Sequence, residues 1–289
     1  MLPASVRSII KPIIRYRNNR KLLLDAQPYF AAKEALNKPR SCIFFTTHKC
    51  ASSFATQMLS LMCQSGAYEV CNHAKTIGYF SDDLGANGRF EEFLADTYDH
   101  LYRQRGYIYA PQRKPIDFPG RAKMRHIFFL RDPRDVVVSG YHSFAFTHKP
   151  PRQTAAKAAF ETRRKEYQAM GLEAYAIQYC DIWVKPLLTE YRRLRETSES
   201  NFYVTYDEYL ASPAAFMDRI AEYLDVSIDP KERDRIAKLA APVASEIDNK
   251  SHKRSGRSGQ FRTALAAETQ AHLNHSLKSE LNYWGFSEE

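Results

Sequence analysis

Long apolar runs are missing from this 289-residue sequence. No stretch reaches the roughly 18 apolar residues that a membrane-spanning helix needs. The opening segment MLPASVRSIIKPIIRYRNNRKLLL is interrupted by Arg7, Lys11, Arg15 and Arg17. It therefore lacks the apolar core of a secretory signal, and the expected location is cytoplasmic. Pro12 breaks any continuous amphipathic helix there, so residues 1–24 predict at most weak peripheral contact with an anionic membrane. The five cysteines, Cys42, Cys50, Cys63, Cys71 and Cys180, form no CxxC pair, and no histidine cluster completes a zinc pattern. An odd count without a framework fits reduced thiols. Internal repeats and a basic tail are also lacking, because lysine and arginine are spread along the chain.

What is present is enough for a folded core. Hydrophobic residues make up 44% and aromatics 13% of the chain, which argues against disorder. The length suits one large α/β domain. We divide the chain into a basic lead-in, 1–35, and a catalytic-sized domain, 36–289. The net charge of +9 attracts polyanions of several kinds and does not choose among them.

Hydrophobic patterning supplies the architecture. Ser41–Thr47 (SCIFFTT) is too short for a helix and reads as a buried strand, followed by helical spacing at Phe54, Met58, Leu61 and Met62. His126–Leu130 (HIFFL) repeats the pattern, with a turn at Asp132-Pro133 and a helix over 136–146. A long helical stretch, 154–197, should break near Gly171 and Pro186. Asn201–Tyr206 is a third strand, and Ser212-Pro213 starts another helix. Buried strands separated by helices predict a parallel sheet flanked by helices, with ligands at the carboxyl ends of the strands. The basic Gly/Ser-rich stretch 249–259 reads as a loop.

The loop after the first strand reads Thr47-His48-Lys49-Cys50-Ala51-Ser52-Ser53-Phe54. Small residues there let backbone amides approach an anion, a helix N-terminus adds partial positive charge, and Lys49 adds a full one. It contains no glycine, so it is not the GxxxxGK[ST] loop of nucleotide triphosphatases, and no Asp partner for Mg²⁺ stands out.

Lys49-Cys50-Ala51-Ser52-Ser53-Phe54 resembles the Lys-Ser-Gly-Thr-Thr-Trp loop that holds the 5′-phosphosulfate in PAPS-dependent sulfotransferases. Arg131-Asp132-Pro133-Arg134-Asp135-Val136, with Ser139 eight residues after Arg131, resembles that family's 3′-phosphate segment. Tyr141-His142-Ser143-Phe144 fits its Tyr-His-Phe continuation. Tyr203–Leu210 resembles its Tyr-Glu-Asp strand, placing Tyr206 near adenine. Arg254-Ser255-Gly256 resembles its Arg-Lys-Gly segment, with Ser255 for Lys. The resemblance covers roughly residues 40–285 and implies the P-loop-like sulfotransferase fold. It also implies PAPS as donor, PAP as product, a hydroxyl acceptor, and neither metal nor nucleic acid. A carbohydrate or glycolipid acceptor suits the basic charge. Loss of the loop glycine requires that Ala51 tolerate a glycine-like φ.

The resemblance leaves the general base open. The family's Lys-x-His-x-Pro element aligns with Tyr107-Ile108-Tyr109-Ala110-Pro111, and an ordinary tyrosine is a poor base at neutral pH. His73 and Glu69 fall in the window where other branches place a carboxylate, and His73 is favoured because imidazole titrates near pH 7. His48 is a third choice, and Arg113 stands to replace the missing lysine. The stretches 107–118 and 150–197 are expected to shape the acceptor pocket. Two other classes remain open: an Mg²⁺-dependent phosphotransferase, and a non-catalytic protein retaining the nucleotide fold.

Overall fold

A computed structural model describes residues 36–73, 98–150, 154–240 and 256–286. The lead-in, 1–35, and Arg254 and Ser255 lie outside the described residues.

Five strands form one parallel sheet: β1 (Cys42–Thr46), β2 (Glu69–Cys71), β3 (Tyr107–Gln112), β4 (Arg125–Leu130) and β5 (Ser200–Thr205). Their spatial order is β2-β3-β1-β4-β5, so the chain crosses over β1 between β3 and β4. Strand β1 is buried along its whole length, which explains its unbroken apolar run. Helices cover both faces: α1 (Ser52–Met62), α2 (Pro133–His142), α3 (Thr154–Tyr179), α4 (Lys185–Glu196), α5 (Tyr206–Ala211), α6 (Pro213–Leu224), α7 (Pro230–Ala240), α8 (Phe261–Ala264) and α9 (Ala267–Trp284).

Two-residue alternation sorts the strand side chains. Ile43, Phe45, Tyr109 and Phe128 pack with α2, α4 and α9 through Val137, Leu188, Leu277 and Trp284. Phe44, Ile108, Ile127 and Phe129 pack with α1 and α6 through Met58, Leu59, Phe216 and Ile220. Phe45 and Phe128 stack with centroids 5.1 Å apart. Truncating an aromatic in such a core to Ala costs about 3–5 kcal/mol. Three layers follow, and all five strands point their carboxyl ends to one edge.

The expected parallel sheet flanked by helices is what forms. The differences are local. The stretch over 154–197 bends at Gly171 (φ 78°, ψ 171°), but its second break falls at a π-helical turn, Cys180–Val184. Pro186 sits in the first turn of α4, where its missing N–H costs nothing. Residues 107–112, assigned to the acceptor pocket from sequence, are a buried central strand instead. Pro111 cannot donate to the ladder, and the β1–β3 register slips there: Ile43 faces Tyr109 while Phe45 faces Gln112.

Candidate active site

The carboxyl edges of the three central strands deliver three cations. The loop after β1 carries Lys49, Arg113 follows β3 directly, and Arg131 follows β4 directly. Lys49 (φ 65°) and Ala51 (φ 43°) both adopt left-handed backbone, where a Cβ costs roughly 1–2 kcal/mol. Ala51 therefore accepts the conformation the missing glycine would have favoured. It is the N-cap of α1, and no side chain caps that helix end. The first-turn amides are thus left to whatever anion the loop meets.

Side chains around the loop divide into three groups. Cys50 is buried with its thiol toward the Phe129 carbonyl (3.4 Å), and burial pushes that thiol up to about 12. Cys50 can offer an anion only its backbone N–H. Ser52 accepts a hydrogen bond from Arg113 Nη2 (2.6 Å), and Ser53 is exposed. Phe54 packs on Tyr209 with centroids 4.7 Å apart, and Tyr209 meets Tyr206 at 5.7 Å.

Arg131 is 3% exposed, and every fixed partner places it beside the loop. Nη1 donates to the Lys49 carbonyl (3.2 Å), and Nη2 donates to the Arg257 carbonyl (2.6 Å) and to Asp135 (3.3 Å). Its guanidinium lies 4.6 Å over the Tyr206 ring. Asp135, one turn further along α2, also accepts from the amides of Gly259 (2.8 Å) and Phe261 (3.0 Å). Burial raises the Asp135 carboxyl, while Arg131 and those two amides pull it down. Tyr206 donates to the Gly256 carbonyl (3.1 Å), so the segment from Gly256 to Phe261 is docked over Arg131. Ser139 lies half-buried on the same helix as Asp135. The organising role of Asp135 was not read from the sequence, although its Arg-x-x-x-Asp spacing was the signal for it. Arg134 has a different job: fully buried, it clamps Asp132 (2.7 Å) and Asn274 (2.7 Å) and fixes the strand-to-helix turn.

The proposed bases part company. Glu69 pairs with Tyr107 at the start of β3, toward the amino edge of the sheet, and the loop leaves the other edge. The five residues Cys42–Thr46 span about 17 Å of strand. Glu69 is therefore removed from chemistry at Lys49. His73 is 3% exposed, stacked on Tyr109 at 5.2 Å, and bonded through Nε2 to the Leu101 carbonyl (2.6 Å). A carbonyl only accepts, so Nε2 carries a proton. Burial lowers His73 to about 4. It is a packing residue, as is Tyr109, whose phenol burial pushes far above its usual range. His48 remains: it is exposed, beside Lys49, with its ring 6.2 Å from Phe144. Desolvation by the surrounding protein, then Arg113, His148, Lys49 and Lys114, lower it to about 4.

The family model for the sulfotransferase domain matches residues 118–282, which include Arg131, Ser139, Tyr206 and Gly256. The chain belongs to the sulfotransferase domain family. It is accordingly a PAPS-dependent sulfotransferase. In fold it is similar to the mouse sulfotransferase SULT7A1 complexed with PAP, at 13% identity and a TM-score of 0.54, over 91% of this chain and 89% of that one. A retinol dehydratase in a complex with retinol and PAP aligns at 14% identity and a TM-score of 0.49, over 91% and 86% of the two chains. No curated protein matches the sequence. Among the described residues no group of three or more His, Cys, Asp or Glu could hold a metal ion, and no helix is long and apolar enough to cross a membrane.

Proposed function

We propose that the carboxyl edge of β1, β3 and β4 binds PAPS and transfers its sulfuryl group to a hydroxyl, with Lys49 on the bridging oxygen. The observation that carries this is a pair of buried guanidinium nitrogens. The Nε atoms of Arg113 and Arg131 have no partner among the described residues, yet both side chains are tied to the Lys49–Ser52 loop. An unsatisfied buried donor costs about 1–3 kcal/mol, and a polyanionic ligand relieves it.

PAPS, when bound, supplies an activated sulfuryl group joined to a 5′-phosphate. Ser52, Ser53 and the amides of Cys50 and Ala51 cradle that phosphate. Arg131, Ser139 and the segment Arg254-Ser255-Gly256 hold the 3′-phosphate, with the bidentate fork of Arg131 at its centre. Phe54 and Tyr206 flank the adenine. Lys49 stabilises charge on the leaving oxygen, which is the main electrostatic demand of the reaction. His48 takes the acceptor's proton: it is neutral in the free protein, it adjoins Lys49, and an arriving anion raises its basicity. The acceptor is a carbohydrate or glycolipid hydroxyl, a choice supported by the +9 charge and by the cations around His48, namely Arg113, Lys49 and Lys114.

Replacing Lys49 tests the assignment. Lys49→Ala should lower transfer at least about 100-fold with an unchanged thermal unfolding midpoint. Full PAPS-dependent turnover in that variant would contradict it.

A further inference from the structure

Arg113 follows the central strand β3 and is mostly buried, with Nη2 on Ser52 Oγ at 2.6 Å and Nε unpartnered. Its burial acts against its charge, and no carboxylate pairs with it among the described residues. The three fully buried arginines each have an acid: Arg134 has Asp132, Arg121 has Asp117, and Arg131 has Asp135. Arg113 shares its part-buried setting and unpartnered Nε with Arg103, but of these two only Arg113 is hydrogen-bonded to the loop after β1. A buried cation without an acid is costly unless something anionic completes it. The hydroxyl of Ser52 fixes where that anion sits, because Ser52 opens the helix whose N-terminus follows Lys49.

Resting on the PAPS reading above, we propose that Arg113 is a catalytic residue that grips the sulfuryl oxygens during transfer. It does from β3 what the absent Lys-x-His element would do in relatives. In the step, the acceptor oxygen bonds to sulfur while the sulfur–oxygen bond to the 5′-phosphate breaks. The electron pair stays on the PAP phosphate, and the acceptor's proton goes to the base. Arg113 keeps its charge throughout and donates hydrogen bonds to oxygens whose negative charge is redistributed. A planar fork suits that task, and a lysine would not reproduce it.

The test exploits the difference between donor and product, since PAP lacks the sulfuryl group. Arg113→Gln and Arg113→Lys are compared with the unaltered chain for turnover, for calorimetric affinity toward PAP, and for thermal unfolding. Arg113→Gln is expected to lose about 100-fold or more in kcat while its PAP affinity changes by less than about threefold. Guanidinium added to Arg113→Ala should restore part of the rate. Equal losses in kcat and PAP affinity would place Arg113 in the 5′-phosphate cradle and overturn the proposal. So would undiminished kcat, or no rescue in a variant that unfolds normally. If the unaltered chain neither binds PAP nor uses PAPS, the donor reading itself has failed.

Discussion

At the carboxyl edge of the sheet, Arg113 and Arg131 have buried Nε atoms that no group satisfies among the described residues. Lower in the sheet, on β3 and just after β2, Tyr109 and His73 are buried too, but each is hydrogen-bonded and stacked. Both regions are rich in residues that suit acid–base or anion chemistry. They differ in what the fold leaves unfinished. A satisfied buried histidine has its proton position dictated by a neighbour and gains nothing from a ligand. An unsatisfied buried guanidinium holds a deficit of about 1–3 kcal/mol that a ligand can recover. Other unpartnered buried atoms occur, Arg103 Nε among them, but at the carboxyl edge two such guanidinium groups converge on one loop, and that convergence marks the site.

The largest expected effect separates the histidines of these two regions. His48→Ala should slow the chemical step by about 10²–10⁴-fold, whereas Glu69→Gln should leave single-turnover rates unchanged. In histidine-resolved NMR titration, the His48 ring should protonate near pH 4 in the free protein. Bound PAP should move that midpoint upward, because a nearby anion favours imidazolium. His73 also titrates near pH 4, but PAP should not shift it. A PAP-dependent shift at His73, or a rate loss in Glu69→Gln, would reverse the comparison.

A smaller effect concerns the loop itself. Ala51 holds φ 43° without the freedom of glycine. Ala51→Gly removes the steric cost and loosens the unfolded chain, so the net gain should stay below about 1 kcal/mol. Chemical denaturation measures it. A loss of stability would mean that the left-handed turn is not what the loop adopts.

Much of this was legible in the sequence because it rests on local rules. Ser41–Thr47 and His126–Leu130 are fully buried strands, and full burial leaves a continuous apolar run. Arg131 and Ser139 lie at fixed spacing on one strand–turn–helix unit. Strand β3 was not legible: Tyr107, Tyr109 and Pro111 look like a polar-tipped pocket stretch, and only pairing with β1 on one side and β2 on the other makes them core. His73 failed for the same reason. Its ring is neutralised by burial and held by the Leu101 carbonyl, 28 positions away, a contact no local pattern encodes. Arg113 could be suspected from sequence as a replacement cation. Its lack of a carboxylate partner among the described residues, on which the proposed role rests, shows only in the fold.

The central claim is that the fold leaves two guanidinium groups at the carboxyl edge for the sulfated nucleotide donor, Arg131 for its 3′-phosphate and Arg113 for its sulfuryl group. Calorimetric titration of PAP, with ATP as the control and with or without Mg²⁺, tests it most directly when repeated on Arg131→Ala. The account predicts Mg²⁺-independent PAP binding that exceeds ATP binding and weakens by about 10- to 100-fold without Arg131. Equal affinity for PAP and ATP, or PAP binding that survives the loss of Arg131, would contradict it.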